Sequence, residues 1–274
     1  MLAQRIITAL VLIPLVFGGV LYLPTHTLAV VLAVIILIGG VEWSRLAGID
    51  STAGRILFLL LLATALGGMA LILDQGYRWI YWMSLGGAVW WFLVTLGLLV
   101  YRPEHVMVRG SATKSLFGLL VLTPAWASVV ALHGADADGP HLVLSLLILV
   151  WVADSGAYFA GRRWGQVKLA PIISPGKTRE GVYGALAGAA IYGFLLAWVR
   201  PETGPPALVA LLCLVVTLIS VVGDLFESLL KRQAGLKDSG NLLPGHGGML
   251  DRIDSMTAAA PLYLLGLLLL GLQP

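Results

Sequence analysis

The sequence predicts an all-α, polytopic integral membrane protein, with about nine transmembrane helices and a polar cavity that faces the cytoplasm. Three observations predict it. Of 274 residues, 59% are hydrophobic and 11% charged, with a mean hydropathy of +0.94, where a soluble domain carries roughly 25% charged residues. Several apolar stretches reach the ~20 residues that a helix needs to cross a ~30 Å hydrocarbon core. None alternates strictly, as the strands of a transmembrane barrel would.

The expected spans are residues 5–23, 27–47, 56–73, 79–101, 115–132, 141–160, 180–199, 206–230 and 255–272. The first opens with a basic segment like a signal peptide, but its apolar run is long and has no A-x-A site before Pro24, so it reads as a retained helix. In the second, Glu42 lies one turn from Arg45 and reads as reaching the interface. The fourth begins with Trp79, Tyr81 and Trp82 and ends at Tyr101, the pattern of an interfacial aromatic belt. The sixth carries Asp154. In the seventh, Gly184 and Gly188 have the spacing that lets helices approach closely, which could serve the core or a homodimer. The eighth holds the single cysteine, Cys213, read as a packing residue, which excludes disulfides and cysteine metal sites. The ninth is entered through Asp251 and Asp254. Residues 1–135 form an N-terminal group of helices, and residues 136–274 a C-terminal catalytic region with polar loops at 161–179 and 231–254.

Every one of the 17 Lys and Arg residues except Arg78 and Arg200 falls before the first span or after an even-numbered one. Cytoplasmic loops retain Lys and Arg, so the N-terminus and polar loops are expected in the cytoplasm, the C-terminus outside, and the chain in the inner membrane. Topology and contact with anionic lipid account for the pI near 9.1; no nucleic-acid partner is expected.

Ionisable groups inside a span are costly and usually face a polar cavity, which singles out Asp154, Asp224 and Glu227. Asp224, Glu227, Ser228 and Lys231 recur at i, i+3, i+4 and i+7, one stripe of a helix. Asp251 and Asp254, three residues apart, share a face once helical. Asp224, Asp251 and Asp254 together suit Mg²⁺, which takes hard oxygen ligands from a few carboxylates, water and phosphates. Structural alternatives stay open: Asp254 as a helix N-cap, Asp251 paired with Arg252 or Lys237, and Asp224 paired with Lys231. The turn Pro244, Gly245, His246, Gly247, Gly248 offers unobstructed backbone amides before a helix N-terminus, framed by Lys231, Arg232, Lys237 and Arg252, and suits phosphate or pyrophosphate. His246 reads as a phosphate donor or a turn residue. The run Ser174, Pro175, Gly176, Lys177, Thr178, Arg179 is no P-loop, because Pro171 stands where the first glycine should and a membrane helix replaces the strand. Ser174, Lys177 and Arg179 still make a small anion site.

Residues 228–254 resemble the phosphatidate cytidylyltransferases. That family's pattern is met by Ser228, Lys231, Arg232, Lys237, Asp238, Pro244, His246, Gly247, Gly248, Asp251, Arg252 and Asp254. The likeness extends through GDLFES (Gly223 to Ser228), SPGKTREG (Ser174 to Gly181) and ADSGAYFAGRRWG (Ala153 to Gly165); the N-terminal helices match only in character. The resemblance implies that CTP and phosphatidate give CDP-diacylglycerol and pyrophosphate, with Mg²⁺, at the cytoplasmic membrane surface. On it, Asp224, Asp251 and Asp254 hold Mg²⁺, to which a second cation could be added, with Asp154 a further polar wall or second ligand on the substrate side. Lys231 and Lys237 would join those three aspartates as catalytic residues on the phosphates, Ser174, Lys177, Arg179, Ser228, Arg232, Asp238, His246 and Arg252 would bind the substrates, and Gly247 and Gly248 would cradle pyrophosphate. Two other readings remain at this stage: a CTP-dependent transferase or kinase acting on another lipid phosphate or a polyprenol, and a transporter with midplane carboxylates.

Overall fold

A computed structural model describes residues 2–102, 108–135, 138–242 and 247–271. Among these run nine α-helices: α1 (Leu2–Tyr22), α2 (Thr25–Leu46), α3 (Thr52–Leu73), α4 (Tyr77–Val100), α5 (Ser111–Gly134), α6 (Gly139–Trp164), α7 (Arg179–Val199), α8 (Pro206–Gln233) and α9 (Leu250–Leu269). Eight of them, α2 to α9, are long and apolar enough to cross a membrane, and α1 carries the apolar run Leu10–Tyr22. The helical membrane class therefore stands. The chain around Ser174 to Thr178, expected as an open loop, instead folds into a hairpin: β1 (Lys168–Ala170) pairs antiparallel with β2 (Ser174–Thr178), Lys168 opposite Thr178 and Ala170 opposite Ser174. With two strands in this sheet among the described residues, both are edges, so Pro175 is tolerated inside β2. Thr178 ends the hairpin and starts α7, its Oγ1 accepting the Gly181 amide at 3.1 Å.

Helices α6, α7, α8 and α9 pack in sequence order, and α9 is also flanked by α4 and α5. Small residues set the closest crossings. A Cβ on Gly156 would lie 2.6 Å from the Gly184 carbonyl oxygen, and one on Gly188 would lie 3.1 Å from Val152 Cγ1. The Gly184 and Gly188 spacing is thus used within the chain, between α6 and α7. At the α8–α9 crossing, a Cβ on Gly223 would lie 2.8 Å from the Asp254 carbonyl oxygen. Glycine there brings the neighbouring Asp224 against the start of α9.

Lipid offers no hydrogen bonds, so a buried indole N–H gains from a protein partner; Trp90 has none among the described residues, but three others do. Trp43, Trp91 and Trp126 donate to the carbonyls of Lys114, Thr257 and Ala29 at 2.8, 3.1 and 2.9 Å. Trp43, Trp91, Phe226 and Leu250 belong to one buried cluster; Leu146, Leu149, Tyr263 and Leu264 belong to the other. Large apolar side chains such as Leu60, Phe92, Leu99 and Leu195 point outward, where hydrocarbon rather than water would meet them.

Helix α9 begins at Leu250, five residues before the expected 255. Asp251 and Asp254 therefore lie inside the helix, and Asp254 is not its N-cap. Met249 holds the cap position without a side-chain bond of its own; the missing acceptor comes from α2, as described below.

Candidate active site

Helices α6, α7 and α8, with the hairpin, enclose a cavity of about 350 Å³. Much of its wall is Ala153, Ala157, Gly161, Gly181 and Ala185, short side chains that leave the space open, and its polar lining includes Asp154, Arg162, Lys177 and Asp224. Asp154 projects into it, exposed. Lys177 reaches from β2 across to α8, its Nζ 2.6 Å from Asp224 Oδ2, while Asp224 Oδ1 accepts Ser228 Oγ at 3.2 Å. The partner of Asp224 is thus Lys177 and not Lys231. Seven residues along a helix is about 10 Å, whereas the hairpin folds directly over the cavity.

Lys231 is engaged elsewhere. Its Nζ sits 3.2 Å from Glu227 Oε1 and 2.7 Å from Asp251 Oδ1, all three side chains buried. Asp251 Oδ2 accepts the amides of Ser239 at 3.0 Å and Gly248 at 2.8 Å. Its partners are neither Arg252 nor Lys237, correcting both of the pairings considered from sequence.

Glu42 of α2, read from sequence as reaching the interface, is instead buried and supplies the missing cap of α9. Its Oε1 accepts the Met249 amide at 2.9 Å; its Oε2 accepts the Leu250 amide at 2.9 Å and Ser239 Oγ at 2.8 Å. A Cβ on Gly240 or on Gly248 would collide with this carboxylate. The signal was present in the sequence. Glu42 is an ionisable residue near the end of an apolar span, as Asp154 is, and the same rule should have kept it.

These bonds bear on the end of the glycine turn and the helix start that follows it. The amides of Gly248, Met249 and Leu250 are not free for an outside anion, because Asp251 and Glu42 already take them. The helix N-terminus attracts negative charge as expected, but the charge belongs to the protein. Gly247 has a φ of +85°, and a Cβ there would also lie 2.6 Å from Asp251 Oδ2, so both demands favour glycine. Pro244, Gly245 and His246 lie outside the described residues.

Arg232 is largely a tether. Its Nε donates to the Ile173 carbonyl at 3.3 Å and a terminal nitrogen to the Leu236 carbonyl at 3.1 Å, tying the hairpin turn to the end of α8. Ser174 is half-buried in β2, and Arg179 is exposed, its backbone amide bonded to the Val167 carbonyl at 2.9 Å. Lys237, Asp238 and Arg252 are exposed, and none makes a side-chain bond to another described residue. The structure thus brings Asp154, Lys177, Asp224 and Ser228 together at the cavity, and Lys231, Asp251, Ser239 and Glu42 beside it.

The donor set can be weighed against a hard cation. Among the described residues, no three His, Cys, Asp or Glu groups are gathered into a ready-made metal cluster. Asp224 nonetheless follows Gly223, whose Cβ would lie 2.8 Å from the Asp254 carbonyl oxygen, so the two aspartates stem from adjoining backbone at the α8–α9 crossing. One oxygen of Asp254 accepts the Ser255 amide at 2.7 Å, and its other oxygen has no bond to another described residue. Mg²⁺ needs only one or two carboxylates when water and phosphates complete its shell, so these residues fit it as an incomplete site that a polyphosphate would finish.

A family model described as "Cytidylyltransferase family" matches residues 3–270. A relative from Pseudomonas aeruginosa named phosphatidate cytidylyltransferase is 45% identical over 267 residues, covering 96% of each chain. Relatives with the same name are 35% identical over 284 residues in Haemophilus influenzae and 38% identical over 280 residues in Brucella suis. They cover 96% and 97% of this chain and 97% and 93% of their own.

Proposed function

The chain belongs to the cytidylyltransferase family, and on that footing we propose that it transfers the cytidylyl group of CTP to phosphatidate, yielding CDP-diacylglycerol and pyrophosphate. An oxygen of the lipid phosphate bonds to the α-phosphorus of CTP as the bond from that phosphorus to the α,β-bridging oxygen breaks. The lipid phosphate is already anionic near neutrality, so it needs little help from a general base. The obstacle is repulsion between two polyanions, which fixed cations and in-line positioning relieve.

The observation that carries this reading is the cavity beneath the hairpin, where Lys177 and Asp224 pair beside Asp154. Lys177 and Arg162 line it, and the exposed Arg179, Lys237 and Arg252 lie on neighbouring elements, supplying positive charge for phosphates. Lys231 is spent on orienting Asp251. Asp224 and Asp254 would hold Mg²⁺, with Asp251, already bonded through both oxygens, held beside them and Asp154 a polar wall or further ligand on the same cavity. Bound there, the metal would neutralise phosphate charge and hold the attacking and leaving oxygens in line. Tyr158 lines the cavity and is 56% exposed at the outer face of α6, where acyl chains can remain in the bilayer while the head group enters. The segregation of Lys and Arg supports an inner-membrane chain with the cavity open to the cytoplasm.

Membranes containing the protein, given radiolabelled CTP and a panel of acceptors, test the reaction. CDP-lipid should form with phosphatidate. Transfer only to another lipid phosphate or a polyprenol, or none at all, would overturn the assignment. Asp251→Ala and Asp254→Ala should each abolish product in membranes that still hold folded protein; near-normal turnover refutes the metal set. A C-terminal reporter active only in the cytoplasm would overturn the topology.

A further inference from the structure

Helix α2 belongs to the N-terminal group, away from every motif that carries the family likeness, yet it delivers a charge into the site. Glu42 is 5% exposed, and among the described residues no Lys, Arg or His pairs with it. Its negative charge is compensated by the Met249 and Leu250 amides, the Ser239 hydroxyl and the N-terminal dipole of α9. A lone buried charge is expensive to keep without ample hydrogen bonds. Its surroundings are also built for it. Trp43, next in sequence, is fully buried, bonded to the Lys114 carbonyl and packed against Phe226 of α8. On the preceding turn, a Cβ on Gly39 would lie 3.1 Å from a Leu250 methyl, and Gly240 and Gly248 leave no room for a Cβ beside the carboxylate.

We infer that Glu42 is a positioning residue for the cytidylyl-transfer site, acting through Asp251. The two carboxylates divide one set of donors. Ser239 gives its hydroxyl to Glu42 and its amide to Asp251; of three successive amides, Gly248 goes to Asp251 and Met249 and Leu250 go to Glu42. Asp251 in turn fixes Lys231 at 2.7 Å. Glu42 therefore sets the starting point and direction of α9, and with them the places of Asp251 and Asp254. Replacing it with glutamine keeps the shape but turns one acceptor into a donor facing N–H or O–H groups, so the start of α9 must shift.

The inference rests on the reading of Asp251 given above, and the experiment separates the two. Glu42→Gln, Ser239→Ala and Asp251→Ala are assayed beside the unaltered chain for kcat and for KM of CTP and phosphatidate, with thermal stability in detergent measured on each. Glu42→Gln should lower kcat about 10- to 100-fold, the usual cost of removing a residue that orients a functional carboxylate, while both KM values change little and folded protein persists. Ser239→Ala, which removes one of the three bonds to Glu42, should move kcat the same way by less. Trypsin should also cut Glu42→Gln faster after Lys237. Normal kcat in Glu42→Gln, with Asp251→Ala inactive, overturns the inference and leaves the reaction intact. A fall in Glu42→Gln that merely tracks lost folded protein overturns it as well. An active Asp251→Ala overturns the reading of the site on which it rests.

Discussion

Two lysine–aspartate pairs stand side by side in this molecule with nearly the same contact and opposite surroundings. Lys177 and Asp224 meet at 2.6 Å with 27% and 28% of their side chains exposed, whereas Lys231 and Asp251 meet at 2.7 Å with 8% and 7% exposed. The first joins the hairpin to α8 over the cavity. The second is locked between helices and closed by Glu227, Ser239 and Gly248. Contact distance alone says nothing about role. A pair open to solvent gains little from its Coulomb attraction and can exchange partners cheaply. A buried pair has lost its water, and removing one member strands the other. Under the proposed function Lys177 would pass from Asp224 to an incoming phosphate, whereas Lys231 holds a carboxylate still.

The largest effect that would break this contrast lies on the closed side. Lys231→Met leaves Glu227 and Asp251 buried without their shared cation, and should cost about 3–5 kcal/mol of stability. Unfolding in detergent measures it, and a shift no larger than that of a surface variant would dissolve the distinction. Lys177→Met comes next, with the loss in a different quantity. Stability should fall by no more than about 1 kcal/mol, while kcat falls about 100-fold, as when one preorganised donor to developing charge is removed. Below these stands Gly248→Ala. Its methyl would be driven against Ser239 and Glu42, an overpacking cost of about 1–3 kcal/mol that thermal stability can read. If alanine is accepted freely, the carboxylates are less tightly caged than the geometry implies.

The contrast also marks where the sequence could be read and where it could not. Helix class followed from hydropathy, because lipid fixes both the length and the polarity of a span. The stripe of Asp224, Glu227, Ser228 and Lys231 followed from helical period. Partners across elements did not follow. That Lys177 takes Asp224 depends on the hairpin folding back over α8, and two strands of three and five residues leave too short a pattern to recognise. The start of α9 was misplaced for a related reason: its cap comes from Glu42, more than 200 residues away in sequence, and local cap rules cannot see it. Just past the glycine turn, the amides of Gly248, Met249 and Leu250 are taken by two carboxylates of the chain itself, a pairing between distant segments that no local pattern displays.

Arg200 supplies the smallest expected effect and the sharpest control. It follows α7, a 21-residue helix and so about 30 Å from the hairpin end. Its guanidinium bridges Asp138 Oδ2 at 2.6 Å and Glu202 Oε1 at 2.7 Å, with 23% of its side chain exposed. Its hydrogen bond holds the Glu202 carboxyl below its ordinary value, so the pair is intact at neutrality and weakens only as pH falls through the carboxylate range. Arg200 thus resembles Lys177 in contact distance and in its own exposure, and differs in not lining the cavity beneath the hairpin. Arg200→Gln should leave kcat and both KM values unchanged at neutral pH. If it instead lowered kcat as Lys177→Met does, loss of any half-exposed ion pair would suffice to impair the protein, and the position of Lys177 over the cavity would explain nothing.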